Sequence, residues 1–314
     1  MQKSRGVGVI TMMVAALIWG VAFVAQTKGM ESIGPFTFSG IRILMGACAL
    51  LPVIFIKDFY AHKTNPSLEK RPFFTKRELF FGTLMGLAFA VACNFQQYSL
   101  LYTTPGKAAF ITALYIVFVP LAGIFMKKKV SPIVWGSVVI SFLGLYLLCV
   151  TPEEKGVNLG DALALFGSIF FTAQILLIEK SGEEVDGVKL SFIQFVVCGV
   201  ISTILMLIFE EPTWANIRLA MPTLLYAGVL SGGVAYTLQI ISQKQLNAVV
   251  ASLLMSLESV FAVLAAWIFM GQAMSTREIV GCVIIFVAII LAQISDVITD
   301  TFKKKKKESY PKNS

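Results

Sequence analysis

Ten apolar stretches, each long enough to cross a bilayer, fill this chain and fall into two similar halves of five. Such runs leave little choice of fold. A hydrocarbon core of about 30 Å takes roughly 20 helical residues, and inside it the backbone polar groups must bond within the protein. We read the spans as 7–26, 35–56, 79–102, 108–126, 131–150, 160–178, 190–209, 221–243, 247–270 and 279–298. With an odd number of spans per half, the second half enters the membrane from the opposite side. The expected fold is an all-α integral membrane protein of ten transmembrane helices, built as two inverted five-helix repeats. Residues 1–150 form the first repeat, 151–298 the second, and 299–314 a basic tail.

Composition agrees with that class. The chain is 57% hydrophobic and 14% charged, against roughly 45–50% and about 25% in soluble domains. Its mean hydropathy is +0.80. A soluble fold would leave most of these side chains without a core. Lys3 and Arg5 precede an apolar run from Val7 to Gln26. That run exceeds the roughly 7–15 residues of a signal-peptide core, so it reads as a first span. Cys48, Cys93, Cys149, Cys198 and Cys282 all lie in apolar stretches, at no metal-ligand spacing, and read as small packing residues. The only histidine, His62, falls in a polar loop, which removes the usual residue of haem ligation, zinc hydrolysis and histidine proton relays. No Gly-x-x-x-x-Gly-Lys-Ser/Thr motif occurs, so ATP hydrolysis is not expected of this chain. No cofactor is expected.

The net charge of +8 does not point to nucleic acid, because the basic residues sit in short loops beside apolar spans. Lys303 to Lys307 directly follow the last span, a placement suited to lipid of an anionic leaflet at roughly 1 kcal/mol per lysine. With the N-terminus inside, twenty Lys/Arg fall on the inner side. Five (Lys28, Lys107, Lys155, Arg218, Arg277) fall on the outer side, and Arg42 lies within a span. The positive-inside rule then places both termini in the cytoplasm of a multi-pass protein of the cell membrane, plasma or inner.

Internal matches point to duplication. Phe23-x-Ala25-Gln26 returns as Phe171-x-Ala173-Gln174, an offset of 148. At an offset of 143, Gln96 falls on Gln239, Ala108 on Ala251, and Leu114-Tyr115-x-Val117 on Leu257-Glu258-x-Val260. Gly136 and Gly281 align after two extra residues. Inverted repeats with a site between them are a recurring build of secondary transporters.

The chain resembles the drug/metabolite transporter superfamily, and within it the EamA-type ten-helix permeases. The resembling residues are Trp19-Gly20, Phe38-Ser39-Gly40-Ile41-Arg42, Ala108-Ala109-Phe110 through Pro120, and Leu257-Glu258-Ser259-Val260-Phe261 through Trp267. The likeness covers residues 7–295. It implies export or exchange of small metabolites across the cytoplasmic membrane, with substrates differing widely between members. The family commonly carries a glutamate just after the glycine ending the ninth span. This chain has Gly271-Gln272 there, so no role of that carboxylate carries over.

Polar residues within spans are the candidate site, since lipid offers them no partner. Glu258 lies eleven residues past Asn247, about 16 Å along a helix and hence mid-membrane. It reads either as a substrate or proton site or as a helix anchor. Arg42, about 10 Å inside the outer end of its span, can snorkel outward, bond helix ends or reach an anionic substrate. An Arg42–Glu258 pair is conceivable. Helical spacing groups Trp19, Phe23 and Gln26; Asn94 and Gln97; Thr112 and Tyr115; Phe170, Phe171 and Gln174; and Gly232, Tyr236, Gln239 and Gln243. Five faces mixing amides with aromatics suit a cavity lining, although amides also bond helix to helix. Gly82-x-x-x-Gly86 and Gly228-x-x-x-Gly232 suit close packing, while Ser231-Gly232-Gly233 and Pro120 are expected kinks.

The reading is a permease for small neutral or zwitterionic metabolites such as amino acids, with protons a candidate coupling ion. Polyanions would want several cavity cations, and multivalent cations would want clustered carboxylates. A membrane sensor or assembly subunit would usually carry a soluble domain, for which no loop is long enough. An integral-membrane transferase would need convergent acids, bases or ligands that this chain lacks.

Overall fold

The computed structural model describes residues 2–64, 72–103, 105–127, 130–150, 157–182, 184–271 and 274–309. Among them there is no strand; the chain is a bundle of helices. In order these are α1 (Gln2–Gly29), α2 (Pro35–Thr64), α3 (Lys76–Ser99), α4 (Pro105–Thr112), α5 (Tyr115–Phe125), α6 (Pro132–Cys149), α7 (Leu159–Ser181) and α8 (Gly187–Phe209). There follow α9 (Trp214–Leu219), α10 (Met221–Leu225), a π-helix (Tyr226–Tyr236), α11 (Thr237–Gln243), α12 (Ala248–Met255), α13 (Leu257–Met270) and α14 (Thr276–Ser309). Nine helical stretches among the described residues are long and apolar enough to span a membrane. The expected tenth span, 279–298, lies on α14, whose side chains are described only as far as Ala292.

Local sequence sets the helix ends. Thr75 with Glu78, and Asn158 with Asp161, form reciprocal capping boxes at the starts of α3 and α7. Ser131 caps α6 ahead of Pro132, and Asp186 accepts from the N–H groups of Val188 and Lys189 to cap α8. Gly271 closes α13 in the left-handed region, at φ 66°. Large apolar side chains such as Phe125, Leu207 and Ile268 point outward, 87%, 70% and 68% exposed. In water this would be costly; in lipid it is the expected outer face.

Four boundaries differ from the sequence reading. The expected spans 108–126 and 247–270 are each broken, into α4/α5 and α12/α13. The first break precedes Pro120 rather than falling on it. Ser168 donates its hydroxyl to the Thr112 carbonyl at 2.7 Å, and the Ile116 N–H turns to Ala113 instead. At the second, Ser252 and Ser256 bond back to the Val249 and Leu253 carbonyls, competing with the helix ladder. The span at 221–243 is wound as a π-helix through Ser231-Gly232-Gly233. Finally, α2 runs on to Thr64, so Lys57 and His62 lie on a helix rather than in a loop. Residues 65–71 of the expected loop, Lys128, Lys129, Gln272 and the last five residues of the tail lie outside the described residues.

Close backbone approaches organise the packing. Antiparallel α2 and α8 meet at Gly40 beside Thr203 and Gly199 beside Leu44. Antiparallel α6 and α14 meet at Gly144 and Gly281, each glycine facing the other's carbonyl. Gly82 and Gly86 of α3 press on Ile193 and Val197 of α8, and Gly228 of the π-helix presses on the Arg42 carbonyl of α2. Helix α3 also packs along α7, as the π-helix and α11 pack along α1.

Both ends of the bundle are tied by polar contacts. Where α1 begins, Lys57 pairs with Asp186 at 2.5 Å and Lys189 with Asp58 at 2.8 Å. There, too, Lys244 donates to the Val185 carbonyl. At the opposite end Lys107 pairs with Asp161 at 2.6 Å, and Glu210 accepts from the N–H groups of Phe36 and Thr37.

Candidate functional site

The two broken helices and the π-helix converge on a cavity at mid-bundle. Tyr115 and Glu258 occupy like places, each just after a break, and the Tyr115 hydroxyl donates to Glu258 Oε1 at 2.8 Å. Both are nearly buried, 1% and 7% exposed. Helix α1 contributes Trp19, Phe23 and Gln26 to the lining; Arg42 comes from α2, Phe171 from α7, and Tyr236 and Gln239 from the π-helix and α11. The cavity has a volume of about 30 Å³, room for two or three waters, given that one water needs ~10–15 Å³. An aromatic cluster walls it: the Tyr236 ring lies 4.7 Å from those of Trp19 and Phe89 and 5.8 Å from that of Phe195.

Of the twelve candidate residues, three do not line this cavity. Asn94 donates to Ser202 at 2.8 Å and to its own helix at Ala90. Gln97 donates to the Met30 sulfur. Gln174 donates to Gln194 at 3.1 Å and accepts from Gln239 at 3.3 Å. These amides join helix to helix, the alternative that sequence left open.

Four lining residues were not among the candidates: Gln96, Thr112, Ser231 and Met255. Sequence carried a signal for three. Gln96 falls 143 residues before Gln239, Thr112 shares a face with Tyr115, and Ser231 belongs to the expected kink. Met255 had none, being apolar, though it lies one helical turn before Glu258. Gln96 donates to Thr112 at 3.2 Å, and Gln239 to the Met255 sulfur at 3.6 Å.

Arg42 and Glu258 do not pair. The Arg42 side chain is 2% exposed and donates from Nη2 to the Cys93 sulfur at 2.9 Å, while Nε has no acceptor. The Cys198 thiol lies beside Cys93. These two cysteines thus meet at the guanidinium and do more than fill space. Other buried polar atoms around the cavity also lack partners, among them Trp19 Nε1 and Gln26 Oε1. Among the described residues no three His, Cys, Asp or Glu converge as a metal site.

The helices define an integral membrane protein with a small polar chamber at its centre. The chain belongs to the EamA-like transporter family, which matches residues 6–150 and again 158–293. It is similar to an uncharacterized transporter of Archaeoglobus fulgidus, 27% identical over 285 residues, covering 89% of this chain and 83% of the relative. A Clostridium kluyveri transporter, likewise uncharacterized, is 25% identical over 290 residues, covering 89% of each. The uncharacterized transporter YoaV of Bacillus subtilis is 22% identical over 295 residues, covering 92% of this chain and 96% of its own. One crystal structure superposes with a TM-score of 0.71 at 15% identity, covering 91% of this chain and 96% of that one. That likeness bears on the fold alone. The protein is a membrane-embedded transporter.

Proposed function

We propose that this chain is a secondary transporter that moves small neutral or zwitterionic metabolites, amino acids among them, across the cell membrane. Two inverted five-helix halves, joined near residue 150 and comprising ten spans in all, would alternate access to the central chamber. The observation that carries this reading is the Tyr115–Glu258 bond, which joins positions related by the internal repeat across the chamber. Other contacts recur under the same relation. Gln96 meets Thr112 as Gln239 meets Met255, and the fourth span of each half breaks at the same place. Equivalent helices α2 and α8, and α6 and α14, run antiparallel, as inversion requires. The family match itself comes in two segments.

At about 30 Å³ the chamber is too small for an amino acid, so this conformation is read as closed, with the breaks and the π-helix as the places that bend. Its chemistry suits a zwitterion: one guanidinium, one carboxylate, several amides and aromatic walls. Protons are the proposed coupling ion and Glu258 their carrier, with Tyr115, Tyr236 and Arg42 the polar groups around it. Both termini are placed in the cytoplasm by the basic asymmetry, with the lysine tail against anionic lipid.

Flux of labelled amino acids into proteoliposomes containing the purified chain tests the reading, with and without a pH gradient. Counterflow of amino acids is expected. Preferential movement of phosphorylated compounds would overturn the substrate class.

A further inference from the structure

A guanidinium buried within a membrane bundle ordinarily meets a carboxylate or several carbonyls. Arg42 meets neither. Among the described residues no acid lies within ion-pair distance of it, and its one side-chain hydrogen bond goes to the Cys93 sulfur. Sulfur is a weak acceptor, whereas arginine carries five N–H donors in a planar fork that matches a carboxylate. Nε is buried with no acceptor at all. The ring of Phe38 flanks the guanidinium at 5.9 Å, and the side chain faces the chamber.

Position supports the same conclusion. Gly228 and Gly232 of the π-helix press on the Arg42 carbonyl and on Gly46, so the backbone that carries Arg42 is fixed against the segment that lines the chamber. Glu258, the one acidic residue lining the chamber among the described residues, is already engaged by Tyr115 and makes no pair with Arg42. The chamber therefore holds a guanidinium and a carboxyl group, each with bonding capacity left over.

We propose that Arg42 is the specificity-determining residue for a single carboxylate on the transported molecule, with the Cys93 sulfur holding the guanidinium until that carboxylate takes its place. The inference rests on the transporter reading above and narrows it. The substrate carries one carboxylate, which displaces Cys93 from Arg42 and takes the fork in two parallel bonds. Its ammonium or other donor group turns toward Glu258. A second acidic group would face no second cation in the chamber, so dicarboxylates and phosphate esters are poor substrates.

The test uses the full-length protein in proteoliposomes and four probes: leucine, phenylalanine and their amides, which keep the ammonium and side chain but lack the carboxylate. Thermal shift of the detergent-solubilised protein, with each probe and with 4-methylpentanoate, gives a readout independent of flux. In wild type the acids should be moved or should protect at least tenfold more effectively than the amides. In Arg42→Gln the acids should fall to the level of the amides. Arg42→Lys keeps charge but not the fork, so it should raise the KM for the acid and leave that for the amide unchanged. This second variant decides the matter if Arg42→Gln does not fold. Equal handling of acid and amide by wild type would overturn the assignment while leaving transport intact, as would discrimination that survives in Arg42→Gln or an unchanged KM for the acid in Arg42→Lys. Failure of all carboxylates to protect or move, while other small molecules are transported, would also overturn it. Movement of no solute by wild type would refute the transporter reading itself.

Discussion

Tyr115 and Glu258, 143 residues apart and each within two residues of a helix break, are joined by a 2.8 Å hydrogen bond across the chamber. The relation makes one residue the counterpart of the other. At positions that the internal sequence match sets level, one residue is a phenol and the other a carboxylic acid, so their meeting place is chemically asymmetric.

Glu258→Gln should impair transport more than folding. An amide still accepts the Tyr115 hydroxyl, so the contact survives while the charge does not. We expect flux per folded molecule to drop by about tenfold or more, equivalent to ~1.4 kcal/mol, with little change in melting temperature. Normal flux from purified variant would rule out a site role. Retained binding with loss of pH-gradient drive would single out proton coupling.

Tyr115→Phe acts on the other partner. Removing the donor leaves a buried carboxylate oxygen unsatisfied, at a cost of about 1–3 kcal/mol. We expect a lower melting temperature, and a double variant with Glu258→Leu, which removes the acceptor as well, less destabilised than the two single effects summed. Strict additivity would mean that the bond does not couple the halves.

Glycine positions give a pair of opposite outcomes. At Gly281 a Cβ would stand 2.8 Å from the Gly144 carbonyl and 2.8 Å from Leu148 N, both backbone atoms. Gly281→Ala should therefore force α6 and α14 apart and destabilise by about 1–3 kcal/mol. Gly136, its match in the internal alignment, has nothing within 4 Å. Gly136→Ala should be neutral or stabilise by about 0.5–1 kcal/mol through helix propensity. Thermal melts of both in one detergent check this; equal losses would refute the crossing.

Hydropathy placed the spans because lipid demands long apolar helices, and that demand is written in composition. The breaks were not legible, because their causes lie between helices or in hydroxyl rotamers. Ser168 captures the Thr112 carbonyl from another helix, and no local signal in 108–126 announces it. The amides show the same limit. Gln26 and Gln239 line the chamber, while Asn94, Gln97 and Gln174 bond to neighbouring helices. All five look alike in sequence, because depth and face are readable but the neighbour is not. The internal matches carried a signal that helical faces did not: Gln96, absent from the candidates, falls 143 residues before Gln239, and both line the chamber.

Asp186 carries the pH prediction, at the start of α8 and outside the apolar span. Burial pushes its carboxyl upward. The Lys57 ammonium at 2.5 Å and the N–H groups of Val188 and Lys189 outweigh burial and hold it below the usual carboxylate range. A folded value below the unfolded one, about 3.9, gives stabilisation that is present above the unfolded value. That stabilisation is lost as pH falls through the folded one. Asp186→Asn keeps a good helix cap and removes the charge. Lys57 is 53% exposed, so solvent screening limits the pair to about 0.5–1 kcal/mol. The variant should therefore melt below wild type at pH 7, and the gap should narrow as pH falls below the unfolded value of about 3.9 and the wild-type carboxyl gains its proton. A gap that does not narrow as the pH is lowered through the acid range in which the bundle still folds would assign the loss to cap geometry and remove the ion pair from the account of this end of the bundle.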